Sequence, residues 1–168
     1  VAAPPFGGTA RGERAPLTPE QAAVAPEGSS RRALLDLIGT AEGTDRGRGY
    51  DETLGYGRFT GGAVDLTSMT LAEVDALQRR MLADPRNRFG SSAVGRYQIV
   101  GTTLRGLVRE MGLDPATTRF TPEVQDAMAV RLMERRGLGA HETGHASRER
   151  LQASLAMEWA SLPRPDTG

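Results

Sequence analysis

Two residue types that carry much of enzyme chemistry are absent from this chain of 168 residues: it contains no cysteine, and all 21 of its basic residues are arginine. The missing cysteine excludes disulfide frameworks, thiolate zinc sites and cysteine nucleophiles. The missing lysine excludes the P-loop phosphate site and catalysis through a Schiff-base or general-base lysine.

Net charge is also absent, because 21 acidic residues balance the 21 arginines. A chain without a net field has no general attraction for nucleic acid or for an anionic membrane. We therefore expect no nucleic-acid partner. Apolar runs extend over only a few residues, so no membrane-spanning segment is predicted. The length and the hydrophobic content of 38% suit one folded domain.

Residues 1–30 differ in composition from the rest of the chain. Five of the ten prolines lie there, together with many alanines and glycines. Such a segment buries too little apolar area to offset the entropy lost on ordering. We therefore expect an N-terminal arm or linker at 1–30, serving as a passive tether or as an attachment to another protein chain, and a folded domain at 31–168.

Apolar spacing in the folded domain predicts a mainly helical structure. The first helix begins at a Ser29 or Ser30 cap, carries Leu34, Leu35 and Ile38 on one face, and ends near Glu42. Residues 43–68 are rich in glycine, and their apolar residues are spaced as in short strands, which predicts a small irregular β-hairpin region. The predicted fold class is thus α+β, mainly α. Further helices are predicted over 71–83, 92–99, 102–111, 121–137 and from 147 to just before 163.

Glu42 falls where the first helix meets the glycine-rich region. The partial negative charge of a helix C-terminus disfavours a carboxylate, and apolar neighbours such as Ile38 would desolvate it. Both effects raise the pKa of the carboxyl. A glycosidase needs such a protonated carboxyl to donate to a leaving oxygen, but a solvated glutamate is the commoner occupant of a helix end.

Six short motifs follow one another along the domain. They are AEGT at 41–44, GYD at 49–51, FT at 59–60, GRYQ at 95–98, QDA at 125–127 and WASLP at 159–163. In this order the motifs resemble the phage lambda endolysin family, whose members are lysozyme-fold lytic transglycosylases and muramidases. The resemblance runs from about Leu34 to Pro163, and the stretch 64–87 is longer than its counterpart there.

The resemblance implies a lysozyme-like fold and cleavage of the MurNAc–GlcNAc β-1,4 bond of peptidoglycan, with Glu42 as general acid/base and no cofactor or metal. A lytic transglycosylase closes the muramyl 6-hydroxyl onto C1 and needs no second carboxylate. A hydrolytic muramidase, the alternative, needs one at a defined distance from Glu42. Asp51 is the first candidate for that role, unless it is a turn residue that accepts from backbone N–H groups. Asp45, Glu52 and Asp65 flank the same region.

The GRYQ segment is implied to line the sugar cleft. Tyr97 would offer a flat apolar face, and Gln98 a donor and an acceptor for an N-acetyl amide. Gly95 would let the backbone approach the sugar, while Arg96 would meet peptide-stem carboxylates or pair with an acidic neighbour. Asp126 is interpreted as structural, through capping or an arginine partner. Additional rim candidates are Thr44, Tyr50, Ser91 and Ser92.

Residues 141–145 spell H-E-x-x-H, the zinc-protease pattern. The pattern works only on a helix that brings both imidazoles to one face. Because glycines at 137, 139 and 144 disfavour a stable helix, we expect a surface loop instead of a zinc peptidase site.

Another hypothesis assigns the chain to a different class of protein. A structural component of a larger particle or of an envelope machine would keep the lysozyme fold and attach through residues 1–30. For the enzyme, the expected location is the periplasmic or extracellular cell-wall space, or a phage-like particle that carries it there.

Overall fold

The structure is a computed structural model that describes residues 24–165. Most of the predicted arm, residues 1–23, lies outside the described residues, as do residues 166–168. The helices of five or more residues within the described part are α1 (Ser30–Ala41), α2 (Leu71–Ala83), α3 (Gly101–Glu110), α4 (Pro122–Arg135), α5 (Leu138–Glu142) and α6 (Arg148–Glu158).

Helix starts follow the capping residues of the sequence. The hydroxyl of Ser29 accepts from the backbone N–H of Arg32 at the start of α1, and Thr70 forms a full capping box with Glu73 on α2. Thr121 caps α4, with proline at the first helical position. Because each cap satisfies a backbone donor that the helix leaves free, these starts were predictable, and the structure confirms them.

The predicted β-hairpin region is wrong: residues 24–165 contain only isolated bridges, such as Thr53 with Val94, and no strand. The chain between α1 and α2 forms short 3-10 helices at Thr44–Arg46, Gly49–Asp51 and Leu66–Ser68, and one helical turn at Leu54–Gly57. Left-handed backbone recurs between residues 43 and 62, so this part of the chain turns repeatedly instead of extending into a strand. The left-handed glycines are Gly43, Gly49, Gly55, Gly57, Gly61 and Gly62.

The helix predicted over 92–99 is also wrong. Val94 and Ile99 exchange backbone hydrogen bonds of 3.1 and 3.0 Å, which closes the segment into a tight loop. Gly95 and Gln98 both have positive φ values inside that loop. A helix follows only at Gly101, and the short α5 was not predicted.

The core is built around α4, which is buried along most of its length. A helix buried on nearly every side is typical of the centre of a helical domain. Leu35 and Ile38 of α1, Met81 of α2 and Leu104 of α3 belong to the same cluster of buried residues. Two polar residues of α4, Gln125 and Asp126, are enclosed in this core, and Asp126 pairs with Arg32 of α1, the helix that ends at Glu42.

The last residues of the predicted arm lie against the domain. Ala25 is buried, and its carbonyl accepts from the side chain of Arg32 at 3.0 Å. The side chain of Arg31 donates to the carbonyl of Val24 at 3.4 Å. Among the described residues, no helix has both the length and the apolar character needed to cross a membrane.

Candidate active site

Glu42 is the C-cap of α1 and is half-buried. Its backbone N–H donates to the carbonyl of Ile38 at 2.8 Å, and Gly43 then leaves the helix with a φ of 78°. Burial raises the pKa of the carboxyl, while the side chain of Ser161 opposes that rise. A partly buried carboxyl is therefore present at the end of the first helix, as expected from the sequence.

Ser161 comes from the turn that follows α6, more than a hundred residues away in the chain. The neighbouring Trp159 is buried and donates from its indole Nε1 to the carbonyl of Tyr97 at 2.9 Å. This bond fixes the turn against the GRYQ segment. The WASLP motif was the sequence signal for the turn, but sequence reasoning gave Ser161 no role.

Asp51 and Glu52, two candidates for a second carboxylate, both accept from backbone groups. Oδ1 of Asp51 accepts from the N–H of Thr67 at 2.9 Å. Glu52 is buried, with one carboxylate oxygen accepting from the N–H of Arg48 at 2.9 Å and the other from its neighbour Thr53 at 3.1 Å. The two carboxylates thus hold the loops around 44–68 in place, which is the turn role considered for Asp51.

Arg96 has the acidic partners that sequence analysis named as one alternative. Its guanidinium donates to both carboxylate oxygens of Asp45 at 2.8 and 2.9 Å and to Asp36 at 3.0 Å. The guanidinium also lies 5.4 Å from the centre of the Tyr50 ring. These partners raise the pKa of Arg96, chiefly through Asp45. The side chain therefore links the 44–46 turn to α1 and is largely enclosed.

Asp65, the remaining acidic residue considered for the cleft, is exposed. Its carboxylate accepts from the hydroxyl of Thr67 at 3.4 Å, a contact within the same short turn. This places Asp65 at the surface of the Leu66–Ser68 segment.

The assignment of Tyr97 as a sugar platform requires correction, since its side chain is 0% exposed. Its hydroxyl donates to Oδ1 of Asp126 at 2.5 Å, and burial raises the pKa of Tyr97. The half-buried Tyr50 donates to the same oxygen at 2.8 Å, while Arg32 pairs with the other oxygen at 2.7 Å. Asp126 therefore has the structural, arginine-paired position expected for it, and it ties α4 to α1 and to the GRYQ loop.

Thr44 and Ser92, proposed for the cleft rim, are buried at 2% and 3% exposure. The hydroxyl of Thr44 donates to the carbonyl of Arg96 at 2.7 Å, and that of Ser92 accepts from the N–H of Gly101 at 2.9 Å. Direct contact with a sugar is excluded by this burial, so both assignments require correction. Their short hydroxyl side chains hold neighbouring loops together. Ser91 is only partly buried.

Gly95 is buried as well, and it faces the side chain of Gln125 instead of open solvent. A Cβ at position 95 would lie 2.4 Å from Oε1 of Gln125, so only glycine fits here. Gln125 is fully buried, accepts from the N–H of Arg96 at 3.0 Å, and donates to the carbonyls of Tyr50 and Phe120. Sequence reasoning missed this clamp, although the QDA motif marked its position.

Gln98 is the residue of the GRYQ segment that remains partly exposed. Its φ of 51° is left-handed, a conformation that costs a non-glycine residue about 1–2 kcal/mol. The amide nitrogen of its side chain donates to the carbonyl of Gly95 at 2.9 Å, and the amide oxygen takes no part in this hydrogen bond. Gln98 stays a candidate substrate-binding residue.

The two histidines of the H-E-x-x-H pattern do not share a helix. Helix α5 ends at Glu142, and Gly144 has a φ of 80°. Nδ1 of His141 contacts the carbonyl of Ala146, whereas Nδ1 of His145 contacts the hydroxyl of Thr143. In the part of the chain that the structure describes, no group of three or more His, Asp or Glu side chains is arranged to hold a metal.

The comparisons with known proteins agree with this architecture. The family model for Endolysin matches residues 32–168. The chain is 28% identical over 135 residues to the endolysin of Escherichia phage lambda. The aligned region covers 80% of this chain and 78% of the phage protein. The solved lysozyme from bacteriophage lambda superposes with a TM-score of 0.52 at 24% identity, over 80% of this chain and 79% of that one, and shows a lysozyme-like fold. Since the family model matches more than half of the sequence, the chain belongs to the endolysin family.

Proposed function

We propose that this protein cleaves the MurNAc–GlcNAc β-1,4 bond of peptidoglycan as a lytic transglycosylase, with Glu42 as the general acid/base. Membership of the endolysin family gives the broader class, an enzyme that degrades peptidoglycan. The observation that carries the proposal is the half-buried carboxyl of Glu42, whose pKa is raised by burial. A carboxyl that holds its proton at higher pH is suited to protonate a leaving oxygen.

The reaction would use this carboxyl twice. Glu42 first gives its proton to the glycosidic oxygen, and the bond from that oxygen to C1 of the muramyl sugar breaks. The 6-hydroxyl of the same sugar then attacks C1, and the Glu42 carboxylate takes the proton that the hydroxyl loses. The products are a GlcNAc 4-hydroxyl end and a 1,6-anhydromuramyl end, and the acid form of Glu42 is restored. The Ser161 side chain, which lowers the pKa of Glu42, would stabilise the carboxylate between the two steps.

The environments of Asp45, Asp51 and Glu52 support the transglycosylase over the hydrolase. A hydrolase needs a second carboxylate to activate water or to attack C1. Asp51 and Glu52 accept from backbone N–H groups, and Asp45 is paired with Arg96. Each of these carboxylates has a structural partner that competes with such a role.

The proposal is tested with Glu42→Gln on purified sacculi. We expect a loss of activity on the order of 10²–10⁴-fold with the fold intact, because the amide cannot donate the proton. Glu27→Gln, at an exposed position before α1, is the matched control and should keep full activity. Undiminished turnover by Glu42→Gln would reject the assignment.

Product analysis by mass spectrometry tests the reaction type. Anhydromuramyl ends are one water lighter than the reducing ends that a muramidase leaves. Wild-type digests should contain the lighter species, and reducing ends alone would assign the hydrolytic reaction. Because the substrate is peptidoglycan, the proposed site of action is the periplasmic or extracellular wall space, reached as a free enzyme or on a phage-like particle.

A further inference from the structure

Tyr56 is an exposed aromatic residue next to the end of α1. Its side chain is 63% exposed, although most aromatic residues of the described chain are enclosed. The hydroxyl donates to the carbonyl of Gly43 at 3.3 Å, and Gly43 directly follows Glu42. The ring is thereby anchored one residue from the proposed general acid. No motif in the sequence marked Tyr56 as a residue of the site.

The backbone beneath the ring leaves room for it. A Cβ at Gly47 would lie 3.0 and 3.1 Å from two carbons of the Tyr56 ring, and one at Gly43 would lie 3.0 Å from its hydroxyl. Side chains at either position would push the ring away. The loop that carries Gly47 is itself held by Glu52, which accepts from the N–H of the next residue, Arg48. The ring therefore has a firm support on one side and solvent on the other.

The backbone conformation at this position does not favour tyrosine. Tyr56 has a φ of 57°, between Gly55 and Gly57, which are also left-handed. A non-glycine residue in this conformation costs about 1–2 kcal/mol, whereas glycine would hold the same turn without strain. Backbone strain of this kind is concentrated at functional sites. An exposed ring held in a strained turn beside Glu42 points to a ligand outside the fold.

We propose that the Tyr56 ring is a platform for a sugar of the glycan strand, next to the bond that Glu42 cleaves. This inference rests on the proposed function. A pyranose presents a face of C–H groups, and tyrosine offers a rigid apolar face to receive it while its hydroxyl stays on a polar partner. Tyr56 thus takes the place in substrate binding that the sequence had suggested for the buried Tyr97.

The test measures binding and turnover separately. Binding of tri-N-acetylchitotriose is measured by calorimetry in the Glu42→Gln background, and kcat and KM on soluble glycan strands in the active enzyme. Tyr56→Gly should weaken binding and raise KM about 10-fold, which corresponds to about 1.4 kcal/mol for one aromatic contact. Tyr56→Phe keeps the ring and should stay within about twofold of the parent protein in both measurements.

Controls separate loss of the ring from loss of the fold. The melting temperature of Tyr56→Gly should not fall, because glycine suits the left-handed turn. Tyr56→Asn, which also tolerates this backbone, should weaken binding equally. Leu82→Ala removes an exposed apolar side chain from α2 and should leave binding unchanged.

Two outcomes would overturn the proposal that the Tyr56 ring binds a sugar. One is parental binding and KM in Tyr56→Gly, and the other is a loss in Tyr56→Phe as large as in Tyr56→Gly, which would assign the effect to the bond with Gly43. Failure of the proposed function would look different. In that case Glu42→Gln would keep its activity on sacculi, whatever the Tyr56 variants bind.

Discussion

The side chain of Ser161 lowers the pKa of the Glu42 carboxyl, against the rise in pKa that burial causes. Burial disfavours the charged form of a carboxyl, and a hydroxyl that donates to it favours that form. In the proposed reaction Glu42 must be protonated at the first step and ionised at the second. Burial and the Ser161 side chain therefore act in opposite directions on the pH range in which Glu42 can serve both steps.

Ser161→Ala should move the alkaline limb of the pH–activity profile to higher pH. Without the hydroxyl, burial acts on Glu42 unopposed, so the pKa of the carboxyl rises further and the acid form persists to higher pH. The measurement is kcat/KM on soluble glycan strands against pH, which reports the ionisation of the free enzyme. Ser154→Ala on α6 is the matched control and should leave the limb in place. A limb that stays still or moves to lower pH in Ser161→Ala would contradict this role.

Glu42→Gln should melt at a higher temperature than the wild type at neutral pH. The pKa of Glu42 is raised in the folded state, so ionisation of this group destabilises the fold as pH rises through the folded pKa. Glutamine removes that cost. Below the ordinary glutamate pKa of about 4.3 the carboxyl is neutral in both states, and the difference between the two proteins should vanish. Melting curves over this pH range provide the check, and a difference that grows on acidification would contradict the raised pKa.

The sequence was sufficient to place Glu42 at the end of α1, because local features determine where this helix begins and ends. The spacing of apolar residues and the Ser29 cap define α1, and Gly43 ends the helix directly after Glu42. Capping residues likewise locate the starts of α2, α4 and α6. Such information lies within a few residues of each helix end, where single-sequence reasoning is strongest.

The sequence was insufficient to predict that Tyr97 is buried, because its burial depends on distant parts of the chain, and it did not reveal the backbone conformation of Tyr56. Tyr97 is enclosed through Asp126 of α4 and Trp159 after α6, and neither contact is visible in the GRYQ motif itself. Tyr56 looked like a strand residue because apolar spacing does not report the sign of φ. The same limitation produced the wrong hairpin prediction, since the left-handed residues of 43–62 become evident only in the folded backbone.

Asp126→Ala should destabilise the domain by about 3 kcal/mol. The substitution leaves the Arg32 guanidinium without its buried partner, and removes the acceptor for Tyr50 and Tyr97. Tyr97→Phe removes the contacts of the Tyr97 hydroxyl with Asp126, Arg96 and Tyr50 but keeps the ion pair, and should cost less, about 1–2 kcal/mol. Urea unfolding of both variants measures the two values. Equal losses of stability in the two variants would mean that the ion pair with Arg32 adds nothing beyond the contacts of the Tyr97 hydroxyl.

Asp51→Asn should keep activity within a few-fold of the wild type and leave the products unchanged. The Oδ1 of asparagine still accepts from the N–H of Thr67, so the turn at Leu66–Ser68 keeps its anchor while the negative charge is lost. A transglycosylase needs no charge at this position, whereas a muramidase that uses Asp51 to activate water or to attack C1 loses its second catalytic group. Initial rates on sacculi and mass spectrometry of the released muropeptides distinguish the two reactions. A loss on the order of 10²-fold or more in a folded Asp51→Asn variant, from an enzyme whose products carry reducing ends, would reject the transglycosylase and assign Asp51 the role of second carboxylate.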